Sequence, residues 1–199
     1  MPQPEQKRKR LPQAERRETI LEAAGALFGE RGYDATRLDD VAAALGVTKP
    51  VLYRHFASKK ELYIALLERH QQDLTSFIGV MPAEGTLAER LRPVVERWLD
   101  YVEAHAYSWQ MLFRDSGGGA EIQARRNQVH DRARAVLADI ISMLAPDSIS
   151  ADERAALAEM LSMGMASLVL WWTEQRAVPR EAVVSAIVRV WTGFLESAG

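Results

Sequence analysis

The stretch TRLDDVAAALGVTKPVLYRHF, Thr36–Phe56, reads as two short helices folded about a tight turn. In the first, Leu38, Val41, Ala42 and Leu45 recur at helical spacing and form one apolar face. Gly46 supplies the turn conformation and Val47 fills the angle between the helices. Thr48 stands where an N-cap is favoured, and Pro50 falls in the first turn, where its missing N–H is no loss. In the second helix Val51 or Leu52, with Phe56, anchors inward and leaves Lys49, Pro50, Tyr53 and Arg54 outside. A helix-turn-helix has this shape, and its second helix offers its N-terminal residues to a major groove. Neither helix could persist alone, so flanking helices must hold them.

Outward from this stretch the whole chain reads as helix, because apolar residues recur at helical spacing and no long run alternates with period two. Helices are expected at about 13–31, 37–45, 49–55, 59–79, 86–104, 106–115, 120–145, 150–176 and 180–197, nine in all. Ser58–Glu61, Thr86–Glu89 and Ser150–Glu153 match the capping box, and Thr36 with Asp39 is a weaker version. Gly32 stands where a left-handed cap ends the first helix, and Gly117–Gly119 reads as a loop.

The 199 residues and 48% hydrophobic content are enough for a sizeable core, and the absence of cysteine excludes disulfides and cysteine-ligated zinc. The N-terminus MPQPEQKRKRLPQ lacks the apolar run of a secretory signal. The longest uncharged run, Met160–Thr173, is short of the roughly 20 residues that span a bilayer, so a soluble, cytoplasmic protein with no membrane partner is expected. Charge is uneven: residues 1–70 carry 13 Lys+Arg against 10 Asp+Glu, and residues 71–199 carry 12 against 17. A basic end suits a polyanion, and the acidic remainder suits another task.

Taken together, these residues resemble the tetracycline-repressor (TetR) family of bacterial transcription regulators. The likeness lies in Ala23, Ala24, Leu27 and Phe28, then Gly32, Thr36, Val41-Ala42, Gly46-Val47, Leu52-Tyr53, His55-Phe56 and Ser58-Lys59. It implies an all-α fold with a basic arm at 1–12, a three-helix DNA-binding head at 13–60 and a ligand-binding and dimerisation bundle at 61–199. It also implies double-stranded DNA as partner, through a palindromic operator, with Thr36, Arg37, Thr48, Lys49, Pro50, Val51, Tyr53, Arg54, His55 and Lys59 as candidate contacts. Lys49 suits guanine O6 and N7, Pro50 and Val51 suit thymine methyls, and Tyr53, His55 and Lys59 suit phosphates. The structural alternatives are Tyr53 packing on the first helix, His55 bonding within the head, and Arg37 pairing with Asp34 or Asp40. Lys7–Arg10 could lie in a minor groove or solubilise a tail.

The body needs an input and a second copy. The helix at 150–176 is apolar nearly all round, with Leu157, Leu161, Gly164, Met165 and Leu168 on one stripe, and the last helix adds Ile187, Val190, Trp191 and Phe194. A small protein cannot cover such helices on every face, so a homodimer interface is expected there. Trp98, Tyr101, Val102, His105, Trp109, Met111, Leu112 and Phe113, with Met160, Met163, Trp171 and Trp172, are candidates for a pocket that takes a small apolar or aromatic effector, although aromatics at helical spacing also build plain cores. Effector binding would shift the dimer off its operator through the fourth helix, as a repressor does. No phosphate-cradling glycine motif, paired metal histidines or nucleophile elbow is present, and the four histidines are scattered, so no catalytic site, metal or cofactor is expected. The competing reading is a helical small-molecule-binding or scaffold protein without sequence-specific DNA binding.

Overall fold

The computed structural model describes residues 12–73, 81–144, 149–175 and 177–197. Among them run nine helices: α1 Gln13–Ala35, α2 Leu38–Leu45, α3 Lys49–Tyr53, α4 Lys59–Asp73, α5 Leu87–Ala104, α6 Ala106–Phe113, α7 Gly119–Leu144, α8 Ala151–Glu174 and α9 Arg180–Ser197. The Lys7–Arg10 run and the part of the fourth expected helix after Asp73 lie outside the described residues.

In the head, α1 buries Ile20, Leu21, Ala24 and Phe28, a stripe that meets Val41 and Ala42 of α2, and Leu52 and Phe56 at α3. Leu52 and Phe56 are at most 1% exposed, and burying each contributes about 1.5–3 kcal/mol, which holds a helix of one turn in place. Gly46 takes the left-handed conformation (φ 62°) and lets the Val47 N–H reach the Ala42 carbonyl at 3.0 Å.

Gly32 also has positive φ (77°), but α1 runs on past it to Ala35 around a kink instead of ending there. Thr36 closes that extra turn: its side chain is fully buried and its hydroxyl donates to the Gly32 carbonyl at 2.8 Å. The expected Thr36–Asp39 cap therefore moves one residue along, and the Asp40 carboxylate accepts the Arg37 N–H at 3.1 Å. The other capping signals act as the sequence suggests. Thr86 accepts from Glu89 N–H, Ser150 from Glu153 N–H, and Ser58 from Glu61 N–H, although the Glu61 carboxylate reaches back to the amide of Ala57.

Two apolar cores result. One joins α1–α4 to Met111 and Leu112 of α6 and to Ile122 and Val129 of α7. The other fills the space between α5, α7, α8 and α9. Helix α6 lies between them, with Trp109 in the second core and Met111 in the first. By length and composition alone α8 could cross a membrane, but it buries Ala158, Leu161, Ala166, Val169 and Trp172 in the second core.

Candidate nucleic-acid interface and ligand cavity

Thr48, Lys49, Pro50, Tyr53 and Arg54 are exposed at α3, Arg37 is exposed at the start of α2, and Val51 and His55 are half-buried. Tyr53 is 50% exposed, so its ring is not spent on packing against α1. The Lys49 ammonium lies 2.6 Å from the Asp39 carboxylate, an exposed pair that a base edge would have to replace. One expected contact is corrected and another has a partner within the protein. Thr36 is enclosed, as described above, and Lys59 donates to the Tyr33 carbonyl at 2.8 Å and lies 4.3 Å from the centre of the Tyr33 ring. Lys59 thus caps the end of α1, where unsatisfied carbonyls and the helix dipole attract a cation.

Arg16 and Arg17 were not singled out in the sequence. Arg17 stacks its guanidinium over the Phe56 ring at 4.9 Å. Burial, then Arg54, Arg16 and Arg17, lower the pKa of His55. Arg16 and Arg17 at the start of α1, where the dipole repels cations, and Arg54 at the end of α3 gather three like charges near His55, which suits a polyanion.

Between α5, α6, α7, α8 and α9 lies a cavity of about 90 Å³. Leu91, Val94, Val95, Trp98, Trp109, Phe113, Val136, Leu137, Ile140, Met165, Ala166 and Trp191 line it, with Ala133 and Ser162. Trp98 meets Trp109 edge-on at 5.7 Å, Phe113 stacks on Trp109 at 5.8 Å, and His130 stacks on Phe113 at 4.7 Å. Burial, then Arg134, lower the pKa of His130.

Of the expected pocket residues, only Trp98, Trp109 and Phe113 face this cavity. Met111 and Leu112 point to the head core because they lie round α6 from Trp109 and Phe113. Val102 is core. Tyr101 and His105 belong to a polar cluster against α1 and α4. Met160, Met163 and Trp171 are exposed on α8, and Trp172 is buried with its indole donating to the Val178 carbonyl at 3.0 Å.

A buried ionic knot ties the body to the head. Arg126 of α7, 1% exposed, lies 3.1 Å from the Asp115 carboxylate and donates to the Met111 carbonyl at 3.1 Å and the Tyr63 hydroxyl at 2.8 Å. Asp115 also accepts from the Tyr63 hydroxyl and the Tyr33 N–H, each at 2.8 Å, and from the Gly117 N–H at 2.9 Å. One carboxylate just beyond α6 thus holds the end of α1, the middle of α4 and the first half of α7. Burial raises the pKa of Tyr63, with Arg126 acting against it. Beside the knot, His70 shares a hydrogen bond with Tyr101, and burial, then His105 and Arg69, push its pKa down to about 3. Tyr107 hydrogen-bonds Glu22 at 3.4 Å, and burial, then Glu22, push it up to about 12.

Residues 20–66 match the model of bacterial regulatory proteins of the tetR family, and residues 87–193 match that of tetracyclin repressor-like C-terminal domains. The second match alone spans more than half of the chain. The chain belongs to the TetR family. Along 195 residues it is 33% identical to the HTH-type transcriptional activator FasR of Mycolicibacterium smegmatis, covering 93% of this chain and 85% of FasR. Over 118 residues it is 30% identical to the transcriptional repressor KstR2 of Mycobacterium tuberculosis, covering 59% of this chain and 58% of KstR2. Its fold resembles FadR from Bacillus subtilis, solved in complex with stearoyl-CoA, with a TM-score of 0.65 at 18% identity over 87% of this chain and 95% of that one. The protein is therefore a DNA-binding transcriptional regulator, in a family whose members here include both activators and repressors.

Among the described residues of this TetR-family chain, an apolar surface on α8 and α9 stays open. Met160, Met163, Gly164, Ser167 and Trp171 form an exposed stripe along α8. Beside it, Met160, Leu161, Gly164, Met165, Leu168, Ala186, Ile187, Val190 and Trp191 bound an apolar groove between α8 and α9. Seven of the nine expected interface residues line this groove. The other two, Leu157 and Phe194, are half-buried against the body core.

Proposed function

We propose that this regulator works as a homodimer that holds a palindromic operator and releases it when a small apolar or aromatic molecule enters the cavity. The head of 13–60 reads DNA, with Lys49, Pro50 and Val51 toward bases. Tyr53, Arg54, Thr48, Arg37 and His55 face the backbone, with Arg16 and Arg17 added to them. The body of 61–199 binds the effector and pairs two copies through the α8–α9 face. Gly164 and Gly193, each with open space where a Cβ would stand, allow two such faces to approach closely.

The observation that carries the reading is the position of α6. Its Trp109 and Phe113 wall the cavity, while its Met111 carbonyl and the Asp115 that follows it hold Tyr63 and Arg126. A molecule that displaces Trp109 or Phe113 moves the helix that fixes α1 and α4, and so turns the head. An effector shifts the population only by its differential affinity for the two arrangements. The apolar lining selects an uncharged group, since burying an unpaired charge there would cost many kcal/mol. FadR's stearoyl-CoA is one molecule that this fold holds elsewhere. A cytoplasmic site of action, where the DNA is, is part of the same proposal.

The test is binding of the purified protein to duplex DNA from its own upstream region against scrambled DNA, at near-physiological salt. Specific binding that falls steeply with salt, with two protomers per palindromic site by sedimentation, is expected. Equal affinity for both DNAs, or a specific complex with one protomer, would overturn it.

A further inference from the structure

The cavity and the surface groove share two residues, Met165 and Trp191. These side chains stand between a chamber of about 90 Å³ and a larger apolar groove of about 390 Å³. The first chamber is smaller than the ~150 Å³ that accommodates a benzene ring. A molecule large enough to shift Trp109 and Phe113 must enlarge it, and its apolar neighbour lies just behind Met165. Methionine is the side chain suited to yield there, being unbranched with three rotatable bonds. Neither chamber is lined by a charged side chain.

We propose that Met165 and Trp191 form a gate between the two chambers, so that the effector is an elongated hydrocarbon-chain molecule whose tail crosses into the α8–α9 groove, beneath the face of a second copy of this chain. The site is then complete only in the dimer, and the subunit interface senses ligand length directly. This rests on the ligand-responsive dimer proposed above. Any charged head group stays outside both chambers, because neither offers a counter-charge.

The experiment uses the full chain and straight-chain 1-alkanols from butanol to dodecanol. Binding is followed by tryptophan fluorescence, since Trp98, Trp109 and Trp191 line the cavity. The dimer constant is measured in parallel by sedimentation. Affinity should rise about fourfold for each added methylene and keep rising beyond chains that fill the first chamber. Only the longer chains should change the dimer constant. Met165→Trp should abolish the gain from longer chains, so that affinity no longer climbs from pentanol to dodecanol. Val190→Asp, at a residue 58% exposed, gives the same readout if the first variant fails to fold. A wild-type series that stops gaining at butanol or pentanol removes the gate and leaves the ligand-binding reading standing. Equal long-chain gains in wild type and in a folded variant also remove it. If no alkanol binds at all, the gate and its hydrocarbon-chain effector fall.

Discussion

Two glycines in α1 set how closely the head approaches α6, and their substitution separates a side-chain contact from a backbone one. A Cβ at Gly25 would stand 2.6 Å from Cζ and 2.7 Å from Cδ2 of the Tyr107 ring. A Cβ at Gly29 would stand 2.7 Å from Cβ and 2.9 Å from Cα of Tyr107. Carbon atoms settle at about 3.5–4.0 Å, so each new methyl needs roughly 1 Å of room. Overpacking of this kind costs about 1–3 kcal/mol, and Gly→Ala within a helix returns about 1 kcal/mol. For Gly25→Ala the ring can swing aside at the loss of its Glu22 bond, a net destabilisation of about 1–2 kcal/mol. For Gly29→Ala no rotamer relieves the clash, and α6 itself must move, for a net loss of about 2 kcal/mol. Adding Tyr107→Ala removes the ring but keeps its Cβ. It should therefore cancel the Gly25→Ala penalty, with a coupling of about 2 kcal/mol, and leave the Gly29→Ala penalty nearly intact. Urea unfolding of the two double-mutant cycles measures this, and thermal melts should show about 2–4 °C per kcal/mol for a chain of this length. If Tyr107→Ala rescues Gly29→Ala as fully as Gly25→Ala, the α1–α6 spacing described here is wrong.

Asp115→Asn should cost about 3–5 kcal/mol, because it strands the buried Arg126 guanidinium, and Arg126→Met in the same chain should recover much of that loss. An additive cycle would count against the knot. Above pH ~6.5 folded and unfolded His70 are both neutral. As pH falls toward about 3, its folded-state pKa, the unfolded chain takes up a proton that the folded chain refuses, so stability drops by about 1.4 kcal/mol per pH unit. His105 and His130, both lowered mainly by burial, add to the slope, and His70→Phe should reduce it in urea melts from pH 6.5 to 5. A slope unchanged in that variant would show that His70 is not the group. On DNA, Lys49→Ala should relax base preference at one position per half-site, by about 1–3 kcal/mol. Arg17→Ala should weaken all sequences alike and lower the salt slope by about 1. The same behaviour from both would undo the assignment. Phosphate beside His55 would raise its lowered pKa, so affinity for DNA should rise as pH falls from 7.5 to 6, and His55→Gln should flatten that rise.

The head was legible because its signals are local. Gly46, Val47, Pro50 and the capping residues act within a few positions of themselves, so spacing alone places α2 and α3. Thr36 was misread for a related reason, since it turns back four residues to Gly32, and Lys59 has a partner at Tyr33, 26 residues back, that spacing does not show. Both partners belong to the kinked end of α1, which no periodicity announces. The ionic knot was wholly hidden. Arg126 sits in a polar run, and its partners come from α6 at Met111, the loop just after it at Asp115, and α4 at Tyr63.

The body shows what a flat list of aromatics loses. On α8 the methionines at 160 and 163 and the tryptophan at 171 share the open face with Gly164, while Met165 stands between groove and cavity and Ala166, one position further on, faces the cavity alone. A hundred degrees per residue separates ligand wall from interface, and composition carries no phase. For α6 the burial was readable, though not the phase. Ala106–Phe113, AYSWQMLF, is apolar almost all the way round, and a helix of that kind has to be covered on every side. In a chain with two cores the natural place for it is between them, one face against each. That position is also the only kind from which a helix can transmit a push, since a helix with one free face would relax toward solvent. The residue pattern that makes α6 look like an unremarkable piece of core is thus what fits it to link the cavity at Trp109 and Phe113 to the head at Tyr63 and Tyr33.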